Sequence, residues 1–380
     1  MTTPFKLYMT GDLVLDEPNA DFFFDPARAM LAEADLLIGH VEVPHTTRGV
    51  ESVGDIPAPA SDPENLRAVG RAGFHMVSLA GNHIHDRGAE GIEDTIANLT
   101  AQGVASAGAG ADLAQARRPG LAARRGVRVG LLSYNCVGPK EGWAGPKRAG
   151  CAYLKIITHY ELENANPGGP PKVYTFADPD TVEAMQADIA AIRAQVDLLV
   201  VAFHKGVVHT PAHIAMYEKA VSRAAIEAGA DIIIGHHSHI LRGVEIWRGK
   251  PIFHGLGNFV TVTRALSVEG NESPERRAWA EKRKVLFGFE PDPDYPLYPF
   301  HPQAKNGMVA ACHLDADGVL SPGFRPIWIL PSGQPEPLGD DERGRAVADY
   351  VAQISRQAGF KTDFHWDGER VTFAAAGDSH

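Results

Sequence analysis

Short apolar runs alternate along the chain with longer stretches in which apolar residues recur at helical spacing. The apolar runs predict strands at positions 5–10, 35–41, 74–79, 127–134, 197–203, 231–235 and 251–256. The helical spacing predicts helices at positions 26–34, 63–72, 88–101, 178–195 and 211–229. Asp25 and Pro26 favour a helix start, since Asp is a good N-cap and Pro suits the first helical position. This alternation predicts an α/β sheet with helices on its faces.

Two long stretches have neither pattern. The first covers residues 136–176 and contains Pro167-Gly-Gly-Pro-Pro171, and the second covers residues 261–304 and is rich in Pro and aromatic residues near its end. Long irregular insertions commonly serve as lids or binding loops. We therefore expect a domain over 1–304 with an irregular lid at 261–304, and a C-terminal α+β extension over 305–380 that packs on the same domain, with a helix near 341–357 and a last strand near 368–374.

Composition narrows the classes of partner. The formal net charge of −11 leaves no excess of Lys and Arg to neutralise phosphates, so nucleic acid is not an expected partner. Three cysteines are an odd number without paired spacing, which predicts free thiols in a reducing compartment. No apolar run is as long as a membrane span, and no signal peptide is recognisable before the first predicted strand. We expect a cytoplasmic protein without membrane contact, and its oligomeric state stays open.

The seventeen histidines are the unusual feature of the composition, and many of them follow apolar runs. Polar groups stand at the carboxyl ends of five predicted strands: Gly11-Asp12, His40 to Pro44 with Glu42, Asn82 to Gly88, His204 to His209, and His236 to His239. Open α/β sheets bind ligands beyond these ends. Carboxylate, amide oxygen and imidazole together suit Mn, Fe or Zn. The pattern predicts a metal site at one edge of the sheet.

Each polar group also has a plainer explanation when it is taken singly. Asp12 could cap a turn, and Glu42 could be a solvated loop charge. His204 follows a fully apolar run and could be a hydrogen-bonded core histidine. His237 and His239 give the most specific signal, because two imidazoles two residues apart in an extended segment share a face and can reach one metal centre.

Several of these motifs follow one order along the chain. They are Gly11-Asp12, Val41-Glu-Val-Pro44, Asn82-His-x-x-Asp86-x-Gly88, Gly108-Ala-Gly110, His204-x-Gly206, Gly235-His-His-Ser-His239 and Lys250-Pro-Ile-Phe-His-Gly-Leu-Gly-Asn-Phe259. In this order the chain resembles the CapA family of capsule and poly-γ-glutamate synthesis proteins, a branch of the calcineurin-like metallophosphatases. The resemblance covers roughly residues 5–260, with a weaker piece near 299–308. It implies a four-layer α/β sandwich with helices outside two packed sheets.

The resemblance also implies roles for single residues and an activity. The family's metal-site positions fall on Asp12, Glu42, Asn82, His204, His237 and His239. His83 falls on the histidine that protonates the leaving group in metallophosphatases. The implied activity is metal-dependent hydrolysis of a phosphoester or of a peptide-like amide of the poly-γ-glutamate type, with one or two divalent ions. Val14 stands where the superfamily's usual Asp-x-His motif has its histidine, and Val208 stands where the family's His-Trp-Gly-x-Glu pattern has its glutamate, so the number of ions stays open.

Two other functions remain open at this point. The first is acid–base catalysis, such as peptide epimerisation with little or no metal, for which His85, Asp86, His209 and His301 are candidates because His can act as acid or base near neutral pH. His301 lies in a Pro- and aromatic-rich stretch that predicts a stiff extended loop, where it either faces the site or is solvated. The second is a non-catalytic role in polyglutamate or capsule assembly.

Overall fold

The computed structural model describes residues 3–52, 60–161, 171–264, 267 and 274–377. In chain order its strands are β1 (Phe5–Leu15), β2 (Leu36–Val41), β3 (Met76–Ser78), β4 (Ala105–Ala107), β5 (Ala109–Gly110), β6 (Gly120–Arg124), β7 (Val127–Asn135), β8 (Gly150–Cys151), β9 (Ile156–Glu161), β10 (Lys172–Ala177), β11 (Leu198–His204), β12 (Ile232–His236), β13 (Val244–Trp247), β14 (Lys250–Phe253), β15 (Asn258–Val262), β16 (Asn306–Leu314), β17 (Leu320–Ser321), β18 (Gly323–Ile329), β19 (Pro335–Pro337), β20 (Thr362–Asp367) and β21 (Arg370–Ala375). Its α-helices are α1 (Ala20–Phe24), α2 (Arg28–Leu31), α3 (Pro63–Arg71), α4 (Gly88–Ala101), α5 (Leu113–Ala116), α6 (Pro179–Arg193), α7 (Met216–Ala228), α8 (Pro274–Phe287) and α9 (Glu342–Gln357). Each strand and helix predicted from the sequence has a counterpart here.

Two large sheets form the centre of the molecule. The first sheet runs β20-β21-β18-β16-β1-β2-β3-β4, and the second runs β13-β14-β12-β11-β7-β6. In both sheets the central strands carrying the predicted site are parallel, since β1 pairs with β2 and β11 pairs with β12 in that direction. Their carboxyl ends therefore lie at the same edge of each sheet.

The core is divided into three apolar clusters that define four layers. One cluster lies between the sheets and joins Met9 and Ile38 of the first sheet to Val200 and Ile234 of the second. A second cluster lies between the first sheet and α1 to α4, and the third lies between the second sheet and α6 and α7. Burial of this apolar surface on both faces of each sheet is the main force that holds the layers together. The predicted four-layer α/β sandwich is confirmed.

The C-terminal part of the chain adds to the first sheet. Strand β16 pairs antiparallel with β1, and β18 and β21 continue the sheet beyond it. Helix α9 places Val347 and Val351 in the cluster between the two sheets. The segment after residue 305 therefore shares the core of the sandwich, whereas the division of the chain into domains stays a prediction.

The first strand is longer than the sequence predicted, and this changes the position of Asp12. Strand β1 continues to Leu15, so Asp12 lies inside the strand and not after its end. The pairing of β1 with both β2 and β15 shifts register next to Asp12. A Cβ on Gly11 would lie 2.1 Å from the Gly257 carbonyl oxygen, so only glycine allows the two backbones to approach here. The irregularity aims the Asp12 carboxylate at the site.

Three local predictions were wrong. The segment around Asp25 is helical on both sides of a 3-10 turn at Asp25–Ala27, so Asp25 is not the N-cap of an α-helix. Its carboxylate instead pairs with Arg28 at 2.9 Å. The stretch 261–304 is not irregular throughout, because α8 occupies Pro274–Phe287. The stretch 136–176 contains the paired strands β9 and β10, while most of its Pro-Gly-rich part lies outside the described residues.

Among the described helices, none combines the length and apolar character needed to cross a membrane.

Candidate metal centre

The candidate site lies where the carboxyl ends of the two sheets face each other. The first sheet contributes Asp12 from β1, Glu42 after β2 and Asn82 after β3. The second sheet contributes His204 from the end of β11, and His237 and His239 from the turn after β12. The structure brings all six side chains together, and contacts shorter than 4 Å connect them in one chain. Their role as metal ligands stays a prediction.

Glu42 stands at the middle of this group. Its Oε1 atom lies 3.4 Å from Nε2 of His239 and 3.8 Å from Nε2 of His204. The residue is 1% exposed, and neither carboxylate oxygen has a hydrogen-bond partner among the described residues. A buried carboxylate without hydrogen bonds is costly unless another charge compensates it. The imidazoles of His239 and His204 both approach Glu42 Oε1, and this oxygen is suited to bind a cation together with them.

Asp12 forms the second carboxylate of the group. Its Oδ1 atom lies 2.9 Å from Nδ1 of His236, and its Oδ2 atom lies 3.3 Å from Nδ1 of His239. One ligand atom each from Asp12, Glu42 and His239 lie within 4.8 Å of one another. Burial opposes ionisation of Asp12, but hydrogen bonds with His236 and His239 hold its pKa well below the usual range. Burial likewise opposes the charged form of His239, yet the Glu42 and Asp12 carboxylates raise its pKa well above the usual value.

On the other side of Glu42, three ligand atoms converge on one nitrogen. His204 Nε2 lies 2.7 Å from Asn82 Oδ1 and 3.1 Å from His237 Nδ1. A neutral imidazole nitrogen carries at most one hydrogen, so His204 Nε2 cannot form hydrogen bonds with Asn82, His237 and Glu42 at the same time. Burial lowers the pKa of His204 well below its usual value and that of His237 to about 3. Neutral imidazoles are the form that binds metals, and this donor set fits a divalent cation.

A His–Asp pair flanks the candidate metal ligands. His83 Nδ1 and Asp86 Oδ2 are 2.7 Å apart, and both residues are buried. They lie in the loop between β3 and α4, where the Asp86 amide also donates to the His83 carbonyl at 2.9 Å. A histidine held by a carboxylate through one nitrogen presents the other in a fixed direction. The arrangement fits a proton-transferring group beside the site.

Of three further predicted residues, His209 packs beside the candidate ligand His239. His85 is half-buried, and burial followed by the charge of Arg148 lowers its pKa. The His209 ring centre is 6.2 Å from that of His239, and burial lowers the pKa of His209 to about 2. His301 accepts a hydrogen bond on Nδ1 from the Gln303 amide and packs its ring on Phe289 at 5.0 Å. The catalytic roles of these three residues stay predictions.

The sequence reasoning missed two histidines that are buried at the same edge. The His40 ring stacks on His236 with 4.5 Å between centres and lies 4.8 Å from His204. His40 also shares a 2.8 Å hydrogen bond with the Ser78 hydroxyl. The signal was present, since each of these histidines is preceded by a glycine near the end of a buried strand, but only the fold shows that they stack behind the ligands.

The backbone of three site histidines is strained. His209, His237 and His239 have φ of 55°, 85° and 52°, in the left-handed backbone region that residues other than glycine rarely adopt. The His209 amide donates to the Ser238 carbonyl at 2.9 Å, which ties the two loops together. Strain of this kind persists where surrounding structure holds it and is concentrated at functional sites.

The three cysteines give a first testable prediction. Cys136, Cys151 and Cys312 are all buried, and burial raises their thiol pKa, to about 12 for Cys151 and Cys312. A thiol must ionise and be accessible to react. We expect iodoacetamide to label none of them in the folded protein and all of them after denaturation, as measured by mass spectrometry. Labelling of the folded protein at any of the three positions would contradict this description.

Fold and site together define a four-layer α/β protein with a carboxylate- and imidazole-rich centre between the carboxyl ends of two facing sheets. The family model described as "Bacterial capsule synthesis protein PGA_cap" matches residues 6–263. The chain therefore belongs to this family, and the resemblance found in the sequence is confirmed.

Individual relatives agree with this assignment. The chain is 34% identical over 204 residues to a Mycobacterium tuberculosis protein named as a probable polyglutamine synthesis accessory protein, covering 52% of this chain and 48% of that one. It is 28% identical over 251 residues to the PGA biosynthesis protein CapA of Bacillus subtilis, covering 65% and 58%. The chain thus spans about half the length of these curated relatives. A solved Staphylococcus aureus structure, described as a candidate 5'-nucleotidase, matches 92% of this chain and 58% of its own at 11% identity and a TM-score of 0.44.

Proposed function

We propose that this protein is a divalent-metal-dependent hydrolase of a phosphoester or a peptide-like amide. The observation that carries the proposal is the set of buried ligand atoms around Glu42. Both oxygens of Glu42 lack hydrogen-bond partners within the described part of the chain, and Oδ2 of Asp12 lies 3.3 Å from the Nδ1 atom of His239. Buried polar atoms are almost always satisfied, so a cluster of unsatisfied atoms points to an ion that binds them.

The donor set suggests two adjacent binding positions that share Glu42. Asp12, Glu42 and His239 would hold one cation, and Glu42, Asn82, His204 and His237 would hold a second. Oxygen and imidazole ligands of this kind suit Mn, Fe or Zn. A divalent ion bound here would supply Lewis acidity toward a substrate oxygen and would lower the pKa of a water molecule to about 7.

The His83–Asp86 pair would handle the proton of the leaving group. Asp86 Oδ2 accepts from His83 Nδ1, which orients the ring and leaves Nε2 as the nitrogen that exchanges a proton with the substrate. His83 is 7% exposed, so the exchange takes place largely away from bulk water. The same role is implied by the family resemblance, which places the leaving-group histidine of metallophosphatases at His83.

The substrate class rests on the relatives. Their names refer to the synthesis of capsule, PGA and polyglutamine. A peptide-like amide of the poly-γ-glutamate type is therefore the first substrate to test, and a phosphoester is the second. Both present an oxygen that a bound cation can polarise, so one site serves either reaction.

Metal removal tests this proposal. We expect hydrolysis to stop when a chelator removes the metal and to return when Mn, Fe or Zn is added, because a bound cation would lower the pKa of the attacking water and would polarise the substrate oxygen. The measurement is product release from γ-linked glutamate oligomers and from a chromogenic phosphoester, with parallel reactions in deuterated water. Deuterium appearing at a substrate carbon, with full activity in the metal-free protein, would replace hydrolysis by epimerisation. Absence of any turnover by the metal-loaded protein on either substrate would leave a non-catalytic role in assembly.

A further inference from the structure

A chain of three hydrogen bonds connects the candidate metal centre to the Pro- and aromatic-rich segment that covers it. His239 Nδ1 lies 2.9 Å from Asn258 Oδ1. Asn258 Nδ2 donates to the Tyr298 hydroxyl at 2.9 Å, and this hydroxyl donates to the Ala304 carbonyl at 2.8 Å. Asn258 and Tyr298 are 0% and 1% exposed, so water does not compete for these bonds. Neither residue was selected from the sequence as part of the site.

The direction of every bond in this chain follows from its last member. The Ala304 carbonyl can only accept a hydrogen bond, so the Tyr298 hydroxyl must donate its one hydrogen to it. The hydroxyl can then only accept from Asn258, which requires the amide nitrogen of Asn258 to face Tyr298. The amide oxygen of Asn258 consequently faces His239 and accepts from Nδ1. Burial raises the pKa of Tyr298, so its hydroxyl keeps the hydrogen on which this order depends.

The outcome for His239 is a single tautomer of its neutral ring, which is the form that a cation binds. Its Nδ1 faces two acceptors, Asn258 Oδ1 at 2.9 Å and Asp12 Oδ2 at 3.3 Å, so this nitrogen carries the hydrogen. The lone pair of the neutral ring then lies on Nε2, which points at Glu42 Oε1 from 3.4 Å. A metal-binding histidine is commonly fixed by an acceptor at its other nitrogen, and losing that acceptor weakens metal affinity about 10- to 100-fold.

We propose that Tyr298 and Asn258 are positioning residues that select the Nδ1–H tautomer of His239 and thereby present its Nε2 to a divalent cation. The segment 295–302 is then part of the construction of the centre and not only its cover. A second contact supports the same coupling, because Phe300 packs on the His239 ring at 5.0 Å and on Tyr298 at 4.9 Å. The consequence for metal binding rests on the proposed function, whereas the tautomer itself does not.

The chain offers a matched control for the experiment. Tyr295 lies three residues before Tyr298 in the same segment and is also buried. Its hydroxyl makes no hydrogen bond within the described residues, and its ring faces Lys305 Nζ at 4.0 Å, a contact that phenylalanine would keep. Tyr298→Phe and Tyr295→Phe therefore remove the same atom from the same segment, but only Tyr298→Phe removes the anchor of the Asn258 amide.

The test is ¹⁵N NMR of histidine-labelled protein at a pH above the raised pKa of His239, where the ring is neutral, combined with Zn²⁺ titration. In Tyr298→Phe the Asn258 amide loses its anchor, and Asp12 at 3.3 Å is the acceptor left to hold the hydrogen on Nδ1. We therefore expect a larger share of the Nε2–H tautomer than in the wild type and a Zn²⁺ affinity that falls about tenfold. Tyr295→Phe should match the wild type in both measurements. Adding Asn258→Asp to Tyr298→Phe should restore the Nδ1–H signal, because a carboxylate presents an acceptor whichever way it is turned.

Each outcome has one meaning. If Tyr298→Phe and Tyr295→Phe give the same His239 tautomer as the wild type, the inference is overturned. If the wild type binds no Zn²⁺, the proposed function fails, and the tautomer comparison in the metal-free proteins still decides the inference. Melting temperatures of all variants, compared with the control, separate loss of the relay from general loosening of the segment.

Discussion

Glu42→Gln is expected to abolish divalent-metal binding while leaving the fold intact. Glu42 Oε1 is the oxygen that both His239 and His204 approach, so removing its charge weakens both proposed cation positions together. A ligand at about one hundred times its Kd stabilises a folded protein by about 2.7 kcal/mol. The increase in melting temperature that metal gives the wild type should therefore disappear in this variant, as measured by calorimetry with and without Zn²⁺.

Glu64→Gln provides the control for this experiment. Glu64 is exposed on α3, and its carboxylate lies 3.2 Å from the guanidinium group of Arg67. Changing Glu64 should therefore leave metal binding as in the wild type. Exposed pairs of this kind contribute little to stability. If Glu42→Gln binds Zn²⁺ with the affinity of the wild type, the cation does not bind at Glu42.

His83→Asn is expected to lower kcat about 10²- to 10⁴-fold, the usual contribution of a positioned proton donor. Asp86 holds the ring through Nδ1, and Nε2 is the proposed proton donor and not a proposed metal ligand, so metal content should stay at the wild-type level. Steady-state kinetics and elemental analysis of the same samples measure the two quantities. A loss confined to KM, or a parallel loss of metal, would contradict the proposed proton transfer.

His159→Asn is the matched variant for this second experiment. His159 is exposed in β9, so the same substitution there should change neither kcat nor metal content. Asp86→Asn should reproduce part of the His83→Asn defect, because it removes the group that orients the ring but leaves the ring in place. Equal activity of Asp86→Asn and the wild type would show that the pair does not act as a unit.

Much of the fold was predictable because buried parallel strands appear in the sequence as continuous runs of apolar residues. Strands β11 and β12, for instance, are fully buried and are bounded by polar residues, so their limits were predicted to within one residue. The first helical segment was harder, because Pro26 fits the inside of a 3-10 turn as well as the first turn of an α-helix. Helix α8 was missed because its charged sequence has few buried positions.

The candidate site was predictable only where its residues directly follow strands. His237 and His239 stand out in the sequence because they are close together after a buried strand. Asn258 and Tyr298 are forty residues apart and meet only through tertiary packing, so no spacing connects them in advance. His40 could be seen as a strand residue, but its stacking on His236 depends on how the two sheets face each other.

The central claim is that a divalent cation binds between the two sheets at Glu42. Anomalous-difference density from crystals equilibrated with Zn²⁺ tests it most directly, since the density identifies the element and its position together. We predict a peak about 2.0–2.2 Å from Glu42 Oε1, Asp12 Oδ2 and His239 Nε2, the distances that zinc makes to oxygen and nitrogen ligands. Zn²⁺-saturated crystals that keep these side chains in place but show no peak among them would contradict the account.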